Sequence, residues 1–396
     1  MLQDPTTKLA HSPLGASGAE RWLACPGSVS LLKELELPES DDPTFRLEGQ
    51  AMHHFGETCL KDGTDAWEVT GQEHEGIVLD APMALHVQSY LDYVRPIAAA
   101  ANKSFVEYAI SAPSIHPLFY GRCDFGAILP DRLVVVDLKG GKGIVVEPDD
   151  NAQCKYYAFG LIYGLEDAQS HAFPGDMPVD LTIVQPRAWH SDGPIRTWTT
   201  TVGEIKEWVH DTLVPAMANV EIDDSLDAGP WCRFCPAKLV CPLMTSLFGA
   251  AAKANPKHVV NLNDQSLGRS YQGVQAVKFY LKALEEETLR RLLSAHEVPG
   301  TKLVNKKANR VWSPGAADLA KEKFGDDAFV PAALKGPAAI DALGPEGSLF
   351  TRGHAFTPNT GLTVALEADK RPAVPVAKAQ EAFGDLAKAY SQSSEA

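Results

Sequence analysis

An α/β fold with a mixed central sheet flanked by helices is predicted for residues 1–247, with an α+β accessory region over 248–396. Three observations predict it. Runs rich in β-branched and aromatic residues at 105–110, 123–129 and 133–138 follow one another with Pro and Gly punctuation between them. A helical period returns over 151–163, directly after the third run. Two further extended runs, 181–185 and 196–201, then lead into a helix over 202–218. Strands interleaved with helices in one stretch of chain specify layered α/β architecture.

The elements follow in order. Ser17 and Glu20, three positions apart, resemble a capping box, which starts a helix running to Cys25-Pro26-Gly27. A second helix spans 45–60 and stops before Lys61-Asp62-Gly63. A third apolar-periodic segment covers 84–101, and the three strands come next. Gly140-Gly141-Lys142-Gly143 precedes the helix over 151–163, which Asp149 or Asp150 caps. That glycine loop lacks the spacing of a phosphate-binding loop and the Ser or Thr that follows its lysine, which argues against Walker-type nucleotide binding. Beyond 248, residues 267–296 form one long amphipathic helix with Val274, Val277, Tyr280, Leu281 and Leu284 among its apolar positions. Residues 302–312 read as a strand or hairpin carrying Lys302, Lys306, Lys307 and Arg310. The rest is rich in Pro, Gly and Ala, and 388–396 is a frayed tail.

Composition narrows the class. At 396 residues and 45% hydrophobic content, the chain buries a substantial core and divides into two domains. No apolar stretch approaches the roughly 20 residues that cross a bilayer, and residues 1–12 carry no signal-peptide pattern; the expectation is a cytoplasmic protein without membrane association. Asp and Glu number 51 against 36 Lys and Arg, a net charge of −15. Phosphate binding is driven by Lys and Arg that displace counterions, so this balance opposes a general nucleic-acid coat but not an enzyme with one local basic groove. Seven cysteines, an odd number in a long cytosolic chain, argue against a disulfide framework.

The most informative octet is Arg132-Leu133-Val134-Val135-Val136-Asp137-Leu138-Lys139. Its β-branched run demands a buried strand, yet it ends in Asp137 and Lys139, which the two-residue strand period puts on one face. Asp124 lies on the preceding strand, in Gly121-Arg122-Cys123-Asp124. Adjacent antiparallel strands are about 4.8 Å apart, close enough for Asp124 and Asp137 to share one cation. Those carboxylates, with the Leu138 backbone carbonyl, make an oxygen-rich site suited to Mg²⁺ or Mn²⁺. Hydrolysing a phosphodiester requires charge neutralisation and a deprotonated water near neutral pH, both of which a divalent cation supplies. Lys139 then orients or helps deprotonate the water and stabilises developing charge.

Asp124, Asp137-Leu138-Lys139, then Gln153 and Tyr157, together resemble the RecB-like branch of the PD-(D/E)XK nuclease superfamily. In that branch a Q-x-x-x-Y helix follows the catalytic strand. Four residues apart, Gln153 and Tyr157 share a helix face, which the resemblance sets against the active site and DNA as a substrate-binding pair. Upstream, Glu48-Gly49-Gln50-Ala51-Met52-His53 is similar to the branch's G-x-x-x-H helix. There Gly49 permits close approach, and the resemblance makes His53 a metal ligand. The implied core is restriction-endonuclease-like.

Cys232-x-x-Cys235-x5-Cys241 is compact enough to give three ligands to one metal centre. A fourth is missing locally. One distant N-terminal cysteine with a C-terminal triplet resembles the AddB-type and CRISPR-associated iron–sulfur nucleases, which implies Cys25 as the fourth ligand of a [4Fe-4S] cluster. Spacing leaves tetrahedral zinc open as the alternative. Cys59, Cys123 and Cys154 read as small buried residues.

This resemblance covers 12–247, and the whole chain, including 300–312 and Asp369-Lys370-Arg371-Pro372, is also similar to a bacteriophage family of predicted nucleases. It implies a Mg²⁺- or Mn²⁺-dependent deoxyribonuclease, an exonuclease rather than an endonuclease, in phage recombination, replication or host-DNA degradation. The implied partners are DNA ends or single-stranded regions and phage recombination or replication proteins, in the host cytoplasm. The alternative is a non-catalytic DNA-end-binding iron–sulfur or zinc protein that keeps the nuclease fold.

Overall fold

A computed structural model describes residues 12–34, 44–141, 144–169, 172–253, 262–293, 296 and 298–301. The chain divides into two compact units, Met1–Leu303 and Val304–Ala396, and all described residues lie in the first. The expected basic hairpin from 302, the element at 369–372, the tail at 388–396, and Lys142 and Gly143 lie outside the described residues.

The fold is mixed α/β. Its sheet has five strands in the order β3-β4-β5-β6-β7: β3 (Lys103–Ser111), β4 (Tyr120–Ile128), β5 (Leu133–Leu138), β6 (Pro178–Val184) and β7 (Ile195–Thr201). A separate hairpin, β1 (Glu73–His74) and β2 (Ile77–Val78), stands outside this sheet. Three of its four pairings are antiparallel, but β5 and β6 run parallel because helix α5 (Ala152–Gln169) crosses over between them. Every residue of β5 is buried, as its uninterrupted apolar run requires of a central strand covered on both faces.

Two cores result. On one face α1 (Ala19–Ala24), α5 and α6 (Val202–Trp208) bring Trp22, Tyr156, Ile162 and Ile205 against Leu133, Val135 and Ile183. On the other, α3 (Thr44–Asp62) and α4 (Ala81–Ala100) bring Met52, Phe55 and Leu91 against Val134, Val136 and Leu138. Fully burying one such side chain contributes about 1.5–3 kcal/mol, so β5 is the strand both layers depend on.

Several local expectations are corrected. Ser17 is not the N-cap of α1: it lies in a 3₁₀ turn, Ala16–Gly18, and Gly18 takes the cap position without a side-chain bond. Neither Asp149 nor Asp150 caps α5; Asn151 Oδ1 accepts from Cys154 N–H at 3.1 Å, while Asp150 pairs with Lys155. The helix from Val202 is interrupted by a π turn, Val209–Leu213, before α7 (Val214–Asn219). Pro215 has no N–H to donate, and the wider turn accommodates that loss. Periodicity did not reveal α2 (Gly27–Glu34), the β1–β2 hairpin or α8 (Pro242–Lys253). The long helix, α9, spans Asp264–Leu293 and buries Ala276 and Ala283, whereas Leu281 and Leu284 are exposed. Among the described residues no helix is long and apolar enough to cross a membrane.

Candidate functional site

The site opens where β4 runs past the end of β5. Their ladder extends from Ile128↔Leu133 to Phe125↔Val136, so Asp124 and Asp137 are the next residues on each strand. Leu138 N–H donates to Asp124 Oδ2 at 2.8 Å across that opening.

On its other edge β4 pairs with β3, and this ladder has one gap, between Val106↔Phe125 and Tyr108↔Cys123. Glu107 and Asp124 fill the gap. Both strands change faces there: Val106, Phe125 and Ala127 pack into the core beneath α3 and α4, whereas Tyr108, Ile110 and Cys123 pack into the opposite one. Glu107 adopts φ 47°, a left-handed conformation that costs a residue with a side chain about 1–2 kcal/mol. Strain held in place by surrounding structure is characteristic of functional positions.

Helix α3 supplies the third group. A Cβ on Gly140 would lie 3.1 Å from Gly49 Cα and Met52 Sδ, whereas one on Gly49 would meet nothing within 4 Å. The close-approach glycine is therefore Gly140, not Gly49, and it lets α3 lie against the loop after β5. His53 Nδ1 then reaches to 3.4 Å from Asp124 Oδ2 and 3.8 Å from Glu107 Oε1. Ligand atoms of His53, Glu107 and Asp124 all lie within 4.8 Å of one another, the one such set among the described residues.

Asp137 and Lys139 sit beside this set, tied to α5. Lys139 Nζ is 2.8 Å from Asp137 Oδ2 and donates to Gln153 Oε1 at 2.7 Å. Gln153 Nε2 in turn donates to Asp137 Oδ1 and to the Tyr157 hydroxyl, each at 3.1 Å. The sequence-predicted Gln153 and Tyr157 are thus brought against the Asp–Lys pair, with Tyr157 buried and Gln153 partly so. The contact from Lys139 to Asp137 Oδ2 is an ion pair without hydrogen-bond alignment, which leaves that oxygen buried and without a directional donor.

The electrostatics describe a cluster short of positive charge. Burial raises the Asp137 pKa against the pull of Lys139, with Asp124 adding to the rise. Burial likewise raises Glu107. At Asp124 burial is outweighed by His53 and the Leu138 N–H, and the pKa falls. His53 shows the counterpart: its carboxylate neighbours overcome burial and push it up to about 10. Lys139 is also raised, because Asp137 and Asp124 overcome burial. Two carboxylates and an imidazole, with the undonated Asp137 oxygen beside them, form a donor set that fits a hard or borderline divalent cation.

Two site residues escaped the sequence reading. Glu107 looked like one polar residue in a strand; only its register opposite Asp124 gives it a role. Arg122 Nε lies 3.9 Å from Glu107 Oε2 with its side chain 55% exposed, at the mouth of the cluster.

The four predicted cysteines also converge. Gly27 makes this contact: a Cβ there would lie 2.2 Å from Asp224 O, and its N–H donates to Ser225 O at 2.9 Å. The Cys25 loop is thereby pinned to the segment leading into the triplet. Asp227 N–H donates to Cys25 Sγ at 3.4 Å, and the same residue's carbonyl lies 3.9 Å from Cys232 Sγ. Cys232, Cys235 and Cys241 follow on two 3₁₀ turns and the entry to α8, and all four thiols line one small cavity. Burial pushes the Cys232 thiol up to about 11 and raises Cys235. Met244 of α8 lines the cavity too, and Ala276 of α9 packs with Met244 and Cys232 in one buried cluster. Cys59, Cys123 and Cys154 are buried.

Residues 11–372, which include both clusters, match the family described as "Protein of unknown function (DUF2800)", and the chain belongs to that family.

Proposed function

We propose that this protein is a Mg²⁺- or Mn²⁺-dependent deoxyribonuclease of the PD-(D/E)XK type, with an exonuclease mode and a [4Fe-4S] cluster closing its catalytic domain. The observation that carries the reading is the His53–Glu107–Asp124 donor set beside the Asp137–Lys139 pair, at the open end of the central sheet. His53, Glu107 and Asp124 would hold the cation, with Asp137 on its Lys139 side. When bound, a divalent ion neutralises phosphoryl charge and acidifies water.

The chain's own groups do the rest. Lys139, its pKa raised, is an ammonium near neutral pH in the metal-free protein. It therefore suits stabilisation of charge developing on phosphate better than proton abstraction. Gln153 holds that ammonium in place from α5, and Tyr157 fixes the amide.

At the second cluster, a tetrahedral zinc with Zn–S bonds of about 2.3 Å brings its sulfurs to about 3.8 Å from one another. The four thiols line one cavity. Four thiolates suit a cluster in which each binds a different iron, and tetrahedral zinc on the same four is the alternative. Such a centre, joining Cys25 to the triplet, has a structural role.

End-labelled single- and double-stranded DNA, incubated with Mg²⁺, Mn²⁺ or EDTA, tests the proposal. Cleavage that requires metal and disappears in Asp137→Asn is expected. Binding of DNA ends without cleavage under any metal would favour the non-catalytic alternative.

A further inference from the structure

Three segments meet at the end of the sheet that holds the cluster. The N-terminal half of β4, with Arg122, overhangs β5 there. Lys139 leaves β5 at the same end, its N–H donating to Val184 O at 2.9 Å. Because β6 runs parallel to β5, the chain leaves β6 at this end too, into a loop that carries Trp189. In sheet order β4, which carries Arg122, and β6, which leads into the Trp189 loop, flank β5 and its exit at Lys139. Two interstrand spacings put those two strands about 10 Å apart, a distance that a short stretch of unpaired strand bridges.

The Trp189 loop is anchored on both sides. Gln185 accepts from Val146 N–H at 2.9 Å and donates to Ile144 O at 2.6 Å. Arg187 pairs with Glu48 on α3, and His190 Nε2 lies 3.3 Å from Glu147 Oε1. Between those anchors Trp189 is 57% exposed. One exposed indole is ordinary on a protein surface; its anchored mount beside the catalytic end is what singles it out. An indole face accepts an unpaired base of any sequence, whereas a base inside a duplex has no free face to offer. Arg122 supplies the matching charge for a phosphate, as a planar fork suits it to do.

We infer that the substrate is engaged as a single strand at this end of the sheet, a phosphate on Arg122 and a base stacked on Trp189. This rests on the nuclease reading above.

Dye-labelled oligothymidine and a blunt duplex of equal length, titrated by fluorescence anisotropy with Ca²⁺ replacing Mg²⁺, test it on the full chain. Trp189→Ala weakens single-strand binding about tenfold and leaves duplex binding unchanged, while Trp189→Phe recovers most of the loss. Arg122→Ala lowers the salt dependence of binding by about one unit of log–log slope, and Arg122→Lys restores it. In cleavage both alanine variants raise KM for single strands more than they lower kcat. If wild-type protein cuts DNA but both variants bind and cut single strands like wild type, the strand path is wrong and the nuclease reading survives. If wild-type protein neither binds nor cuts DNA, both are wrong.

Discussion

Glu107 and Asp124 face one another across the single gap in the β3–β4 ladder, each at the residue where its strand changes faces. The left-handed backbone of Glu107 separates two effects that usually travel together. Glu107→Gln keeps the strain and removes a charged donor; divalent-metal affinity, read by calorimetry, should fall about 10- to 100-fold. Glu107→Gly also removes the strain, so the metal-free protein should be more stable than the Gln variant by about 1 kcal/mol in urea unfolding. Equal stability of the two variants would show that the backbone at 107 is unstrained.

Asp137 and Lys139 act as a pair held by Gln153. Lys139→Met keeps the aliphatic stem and deletes the ammonium, and should lower kcat by about 10²–10³ with little change in KM. Gln153→Ala only loosens the lysine, for an expected loss of about tenfold. Single-turnover cleavage separates these from product release. A Gln153→Ala loss as large as that of Lys139→Met would mean that the amide contacts substrate directly.

Much of this was legible in the sequence because strand period is a strong constraint. Leu133–Leu138 is the β5 that the octet demanded. The run is buried on both faces, and its exit residues had to be Asp137 and Lys139. The Gln153–Tyr157 spacing likewise survives folding, because one helical turn fixes it. Glu107 was not legible: its role depends on which residue of β4 it opposes and on a backbone conformation that no local pattern signals. The cap of α5 was misread because Asp149, Asp150 and Asn151 are all good capping residues. Three-dimensional competition, in which Asp150 turns to Lys155, decides among them.

His53 gives a pH prediction. Its folded-state pKa of about 10 lies above the ordinary 6.5, so the metal-free protein holds this proton throughout the neutral range. The stability it contributes is complete below pH 6.5 and is lost as pH rises through about 10. A cation bound by the imidazole must displace the proton, so metal affinity should rise with pH up to that value. Calorimetry in buffers of different ionisation enthalpy should report about one proton released per metal near pH 7.5. His53→Gln should abolish the release; a wild-type value near zero would remove His53 from the ligand set.

Gly27 makes the last prediction, because the convergence of the cysteines passes through it. Its missing Cβ allows the Cys25 loop to touch Asp224, and the clash at 2.2 Å would be with backbone oxygen, which cannot rotate away. Gly27→Ala should therefore resemble Cys25→Ser although it removes no thiol. Both should lose the brown colour and the absorbance at roughly 400 nm expected of anaerobically purified wild-type protein carrying iron. The proposed metal centre would close a loop of about 200 residues, and its loss would release unfolded-state entropy of about 5 kcal/mol. That is comparable with the net stability of a domain, so both variants should unfold at much lower urea. Full cluster content in Gly27→Ala would mean that the N-terminal loop reaches the triplet by another route. Colourless wild-type protein with one zinc per chain would transfer the same tether to zinc.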